Sequence, residues 1–267
     1  MSRSSANPTI ALLALLLSPA VAASDNATDE LAALAKQYGT DKRRDKHRFV
    51  DVYGPRLSHR RDSIHTMLEL GVLYGGSALM WRDWLPLAKI VGVDNFSGIM
   101  GAYRNPSTHA GNKIPNHRRF YTEAQSGVHG DRVVVLDLDV STADGLQNAA
   151  ARLLPFAPFD LIIDDASHSS HDQLTGLVAL LPMLAPGGVY VVEDIHTSLQ
   201  DGYDLAKGHA QTAYHVLKKF NKTRTFSSKF VTEASARMIE NRIASVEIIC
   251  PPGRRWDQSL TSILMAR

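Results

Sequence analysis

The 267 residues include 29 lysines and arginines against 27 aspartates and glutamates, a formal charge of +2, with 44% hydrophobic and 21% charged residues. This composition supports a packed core and excludes wholesale disorder, and so small a charge gives no electrostatic reason to expect a nucleic-acid partner. Cys250 is the single cysteine, so no intrachain disulfide is available and the fold rests on its core.

The chain opens with Arg3 in a short polar start and an unbroken apolar run over Ile10–Leu17. Ser18 and Pro19 break the run, and the small residues Ala20-Val21-Ala22 follow. That layout predicts a signal peptide over residues 1–23, and with it a secretory-pathway or extracellular destination. The run falls well short of the roughly 20 apolar residues a membrane helix needs, so no transmembrane span is expected. Residues 24–60 read as an N-terminal helical and basic extension. Its helix covers Asp29–Tyr38, Gly39 stops it, and the strongly basic stretch Lys42–Arg48 follows. A solvated face is the common explanation of such a run, and steering of an anionic acceptor is the functional one. No aromatic residues interleave it as they do in single-strand binders, which again argues against nucleic acid.

Over residues 61–267, apolar runs alternate with helical patterns, the signature of βαβ units and a parallel sheet. Strands are predicted at Thr66–Leu70, Lys89–Asp94, Arg132–Asp137, Phe159–Asp164 and Val189–Glu193. Helices are predicted at Ser77–Trp84, Gly145–Leu154, Asp172–Leu184 and Ala206–Phe220. Two late runs, Ala244–Cys250 and Leu260–Ala266, flank Pro251-Pro252-Gly253 and read as an antiparallel pair. The expected fold is α/β: a doubly wound, Rossmann-like seven-stranded sheet, parallel with an antiparallel terminal hairpin. The stretch Gly101–Gly130 is long for a connection and reads either as a binding loop or as an insertion without a role.

Chemistry-bearing residues sit at the strand tips. The first strand runs into Glu69-Leu70-Gly71-Val72-Leu73-Tyr74-Gly75-Gly76-Ser77, where glycines permit a tight turn and close approach of a ligand to backbone N–H groups. The spacing differs from the Gly-x-Gly-x-x-Gly of dinucleotide folds. Asp94 ends the second strand, where an acid can accept hydrogen bonds from ribose hydroxyls, and Asp137 ends the third, placed to meet an adenine amino group. Glu69, Gly71, Gly75, Ser77, Asp94 and Asp137 are therefore the candidate cofactor residues. The fourth strand ends in Asp164-Asp165-Ala166-Ser167-His168 and the fifth in Glu193-Asp194-Ile195-His196. On neighbouring strands Asp165, Glu193 and Asp194 would converge, and carboxylates so crowded resist ionisation without a cation between them. Oxygen ligands favour magnesium or manganese over zinc. His168 is placed to take a proton from a metal-activated hydroxyl, whereas His171 and His196 read as turn or helix-cap residues.

At these residues the chain resembles the metal-dependent, S-adenosylmethionine (SAM)-dependent sugar O-methyltransferases that act on macrolide antibiotics of the mycinamicin and tylosin type. The resemblance runs roughly from Leu31 to Asp194. It includes Tyr38-Gly39-Thr40-Asp41-Lys42 with His47, the Glu69–Ser77 turn, Asp94, Asp164–His168, and Pro186-Gly187-Gly188 through Glu193-Asp194. It implies a class I methyltransferase fold, SAM as methyl donor, Mg2+ held by Asp165, Glu193 and Asp194, His168 as general base, and a sugar-like hydroxyl as acceptor. The chain departs from the family in showing Leu136-Asp137-Leu138 where Gly-Asp-Gln is usual, in lacking a tryptophan over Ile195–Leu199, and in the 101–130 insertion. Two other readings remain: an exported binding protein of the same fold without turnover, and an oxidative enzyme of the cephalosporin-hydroxylase type, which would need iron.

Overall fold

The computed structural model describes residues 19–96, 119–200 and 211–267. The apolar run of the expected signal peptide lies outside them. Helix α1 spans Pro19–Tyr38, so it begins ten residues earlier than the sequence reading. Among the described residues, no helix is long and apolar enough to cross a membrane. Helix α2, Val50–Leu57, carries no clear sequence signal and lies between the basic stretch and the first strand.

Seven strands form one sheet: β1 (Thr66–Leu70), β2 (Lys89–Asp94), β3 (Val133–Asp137), β4 (Phe159–Asp164), β5 (Leu184–Val192), β6 (Ile243–Ile249) and β7 (Thr261–Ala266), in the order β3-β2-β1-β4-β5-β7-β6. The first five pair in parallel, while β7 runs antiparallel between β5 and β6. This is the expected doubly wound sheet with an antiparallel end. The order reverses at β1, which lies between β2 and β4, and such a switch point is where open α/β sheets bind ligands.

The remaining helices are α3 (Gly76–Trp84), α4 (Arg119–Gln125), α5 (Ala143–Leu153), α6 (Ser170–Leu180), α7 (Ala213–Thr223) and α8 (Glu233–Arg242). Side-chain caps set four of their starts, that of α8 through Thr232. Thr142, Ser169 and Thr212 each accept a backbone N–H from three residues on, which places the starts of α5 and α6 two residues before the sequence reading. Thr212 likewise fixes the start of α7 at Ala213 instead of Ala206; residues 206–210 lie outside the described set. Helix α6 ends at Leu180 because Pro182 converts the next turn to a 3-10 helix. Helix α4 occupies the end of the 101–130 stretch, of which residues 97–118 lie outside the described set.

Alternating strand residues build a core on each face. Leu68, Leu70, Val91, Ile162, Tyr190 and Val192 pack with α5–α8. Met67, Ile90, Leu161, Ile163, Val189 and Val191 pack with α1–α4, where Trp81, Trp84 and Tyr53 are fully buried. The N-terminal helices thus cover one face of the sheet.

Candidate active site

Strand parity decides which acids meet. Side chains alternate across a sheet, so Glu69, Asp165 and Glu193 share parity with the residues that face α1–α3, and they turn the same way. There they find a cation that is far away in sequence. The Nζ of Lys42 lies 2.5 Å from Asp165 Oδ2, 2.9 Å from Glu193 Oε2 and 3.7 Å from Glu69 Oε1. Lys42 is 1% exposed. Burial alone would lower its pKa, but the three carboxylates outweigh that and hold it well above the ordinary lysine value. The Tyr53 hydroxyl donates to the other oxygen of Glu193, Oε1.

Two of the candidate residues are held by partners within the protein. Glu69 is fully buried, with Ser77 Oγ donating to its Oε2 at 2.9 Å. The pair therefore braces the β1–α3 turn from behind, because the parity that sends Met67 into the core sends Glu69 after it. Glu193 has both carboxylate oxygens engaged, by Lys42 and Tyr53, beside the cluster described next.

Asp165 Oδ1 points outward, away from the lysine, 3.9 Å from His168 Nδ1, while His168 Nε2 lies 3.8 Å from Asp194 Oδ2. One ligand atom from each of Asp165, His168 and Asp194 falls within 4.8 Å of the others. His47 Nδ1 at 3.4 Å and His196 Nδ1 at 3.5 Å surround Asp194 Oδ1. Burial works against ionisation of Asp194, but His47, His168 and His196 prevail and keep it well below the usual carboxylate range. His47 responds in kind: its burial is outweighed by Asp194, and its pKa is raised. His196, in the short 3-10 turn Ile195–Leu199, is thus part of the site and not only a turn residue.

The local backbone is shaped for this. His168 and Asp194 adopt left-handed conformations, φ 59° and 52°, a region that costs non-glycine residues about 1–2 kcal/mol. The hydroxyl of Thr197 lies 2.9 Å from the carbonyl of His168 and 2.8 Å from that of Asp194, tying the two tips together. Gln173 adds a bond from its Nε2 to the Glu193 carbonyl at 2.9 Å. Asp194 Oδ1 and His168 Nδ1 are nonetheless buried without a hydrogen-bond partner. With His196 Nδ1, which likewise has no hydrogen-bond partner, three orphaned polar atoms lie in one cluster of oxygen and nitrogen donors, which fits a divalent cation.

The candidate cofactor turn adjoins this cluster. Gly71 has φ +81°, and a Cβ there would overlap the carbonyl of Asp165. Gly75, at φ +78°, caps α3 and lies against the ring of Phe120 on α4. Asp94 accepts the N–H groups of Leu73 and Phe96, each at 2.8 Å, so it fastens the glycine turn to the tip of β2. Asp137 is its partner in register on β3 and is exposed. The turn, the β2 and β3 tips and the acid cluster all lie on one edge of the sheet.

Residues 68–195 match the family model described as a methyltransferase domain. The 8-demethyl-8-(2-methoxy-alpha-L-rhamnosyl)-tetracenomycin-C 3'-O-methyltransferase of Streptomyces olivaceus is 29% identical over 208 residues, which cover 74% of this chain and 46% of that protein. Mycinamicin VI 2''-O-methyltransferase of Micromonospora griseorubida is 29% identical over 181 residues, 65% of this chain and 38% of its own. The chain thus spans less than half the length of these curated relatives. Among solved structures, a methyltransferase from the mycinamycin biosynthetic pathway in complex with Mg and SAH superposes with a TM-score of 0.63 at 23% identity, covering 89% of this chain and 54% of that one. Together with the strand order, that likeness shows the class I methyltransferase fold.

Proposed function

We propose that the protein is a SAM- and Mg2+-dependent O-methyltransferase acting on a hydroxyl of a sugar or small glycoside. The observation that carries this reading is the convergence of Asp165, His168 and Asp194 on the edge that also holds the Gly71–Gly75 turn. The names of the relatives, all O-methyltransferases of sugar-bearing natural products, favour methyl transfer over the oxidative and the binding-only readings.

Asp165, Glu193 and Asp194 would hold the cation, with His168 beside them and Lys42 between Asp165 and Glu193. Manganese would suit the same donors. Gly71, Gly75, Asp94 and Asp137 would hold SAM. The cation supplies a Lewis acid that makes a hydroxyl easier to ionise, and SAM supplies an electrophilic methyl group. The chain's own part is to orient and to accept a proton. His168 Nδ1 is buried, so Nε2, 3.8 Å from Asp194 Oδ2, is the nitrogen placed to take the acceptor's proton. Residues 1–23 would direct export, and N-terminal sequencing of secreted protein should then read from Ser24.

The test is incubation with SAM, Mg2+ and a panel of sugars and glycosides, following release of S-adenosylhomocysteine. Turnover should disappear on chelation, and His168→Ala should reduce it by about 10²–10⁴-fold, the usual worth of a positioned base. No heat with SAM in calorimetry, together with clear calcium binding, would instead favour the binding-protein reading.

A further inference from the structure

We infer that the loop joining β6 to β7 is the acceptor subsite, where Arg254 takes an anionic group of the sugar-bearing acceptor, a carboxylate or a phosphate ester, and Trp256 offers a face to a ring. This deepens the O-methyltransferase reading above and rests on it. The loop is tied to the site through its backbone. Ser259 Oγ donates to the carbonyl of His47 at 2.9 Å, and the carbonyl of Leu260 accepts the N–H of Ile195 at 3.1 Å. Gln200 Nε2 donates to the carbonyl of Asp257 at 2.9 Å. The loop is thus fastened to the two segments that carry His47, Asp194 and His196. At its other end the Arg254 N–H donates to the Pro251 carbonyl at 3.1 Å, closing a turn with Pro252 and Gly253 at its corners, where Gly253 has φ +73°. Cys250 Sγ donates to the Arg254 carbonyl at 3.2 Å, which fixes the point from which the arginine side chain leaves.

Arg254 lacks a counter-ion. The arginines around it are each paired, Arg48 with Asp51, Arg56 with Glu247 and Arg255 with Asp257. Among the described residues the Arg254 guanidinium makes no ion pair and no hydrogen bond, and its Nε is buried without a partner. A buried donor left unpaired costs free energy, and an anion from outside the chain removes that cost. The charge also bears on the acid cluster: burial lowers the His196 pKa against the pull of Asp194, and His47, His168 and Arg254 lower it further. His196 Nδ1 in turn lies 3.5 Å from Asp194 Oδ1. Arg254 and Trp256, the latter 54% exposed, line a groove of about 680 Å³ beside β6 together with Arg56 and Glu247. Arg56 and Glu247 neutralise one another, so Arg254 gives the groove its net positive charge. A planar guanidinium with free donors matches the paired oxygens of a carboxylate or phosphate, and an exposed indole face covers the apolar side of a sugar ring. An acceptor held by its acid group is tethered beside His196, which orients its hydroxyl towards the acid cluster.

Matched probes that differ in one group test this: methyl glucopyranoside, the methyl glucuronide and methyl glucopyranoside 6-phosphate. Each is titrated by calorimetry into the full chain with Mg2+ and S-adenosylhomocysteine, and each is offered as an acceptor with SAM and Mg2+. The acid-bearing probes should bind about tenfold tighter or more than the neutral one, the usual worth of a hydrogen bond to a charged group. A larger effect with one acid than with the other identifies the group. Arg254→Met should bring the affinities together and raise KM for the acid-bearing probes. Arg254→Lys, which keeps the charge but loses the fork, should fall between. Trp256→Ala should weaken every probe alike and keep their ratio. Equal binding of all probes by the wild type, no binding of either acid-bearing probe, or a preference that survives in Arg254→Met would overturn the inference. Turnover without any preference for an acid overturns this inference alone. No release of S-adenosylhomocysteine from these probes or from the wider acceptor panel overturns the methyltransferase reading, and this role with it.

Discussion

Gly71→Ala is the substitution that most directly probes how the cofactor turn and the acid cluster are joined. Gly71 has φ +81°, and its N–H donates to the Val93 carbonyl at 2.8 Å, so its backbone is held in the left-handed region. A methyl group there costs about 1–2 kcal/mol in conformation alone. It would also overlap the Asp165 carbonyl oxygen and lie 2.7 Å from the carbonyl carbon and 2.9 Å from Ala166 Cα. These are backbone atoms, which cannot rotate aside, so the β4 tip must move; overpacking of this kind costs about 1–3 kcal/mol. The sum, about 2–5 kcal/mol, corresponds to a fall in Tm of about 4–20 °C for a protein of this size. Thermal melts with and without Mg2+ measure it. Because the displaced tip carries Asp165, stabilisation by Mg2+ should shrink as well. A Gly71→Ala protein melting within about 2 °C of the wild type, with undiminished Mg2+ stabilisation, would show that the turn and the tip do not touch as described.

Two more substitutions separate tying from chemistry and charge from packing. Thr197→Val keeps the shape and removes the hydroxyl between the two strand tips, so urea unfolding should lose only about 0.5–1.5 kcal/mol while turnover falls more steeply; unaffected kcat would mean the tips hold their places without it. Burial pushes Glu69 up to about 7, above the roughly 4.3 of an unfolded glutamate, so the folded state keeps its proton longer. Its stabilising contribution is whole below that unfolded value and is lost as pH rises towards 7. Glu69→Gln should therefore gain stability relative to the wild type between pH 5 and pH 8, by at most a few kcal/mol. A difference in Tm between the two proteins that stays constant over that range would contradict the assignment.

The sheet was legible because its parallel strands are continuous apolar runs ending in acids, as at Ile162-Ile163-Asp164-Asp165 and Val191-Val192-Glu193-Asp194. Adjacency of β4 and β5, which brings Asp165 and Asp194 together, followed from that pattern. What escaped was the direction in which each acid points. The signal was available: Glu69 shares parity with Met67, and Glu193 with Val189 and Val191, so both had to turn beneath a helical layer and required a partner there. Lys42 was hidden differently. In a run of seven mostly basic residues the charge pattern does not mark one lysine as buried, although Lys42 closes the Tyr38–Lys42 stretch of the family resemblance, while Arg44 two residues on stays half-exposed and paired with Asp29 and Asp51. Tyr53 belongs to a short helix containing Pro55, whose pattern gives little helical signal. The starts of α5, α6 and α8 were readable from Thr142, Ser169 and Thr232, each of which accepts the N–H three residues on.

The Lys42 contacts join residues 123 and 151 positions apart along the chain. Translation delivers the lysine early and Asp165 and Glu193 late, so for much of synthesis the ammonium has only Glu69 of its acids to meet. Any species that assembles the parallel strands before α1 and α2 dock must carry three acids facing an open hydrophobic surface with no cation among them. Docking of the N-terminal helices and completion of the sheet edge therefore favour one another, and contacts of such long sequence separation slow folding. A fragment that keeps every strand but begins after position 42 would possess the architecture and lack the electrostatic condition under which its acids can stay together.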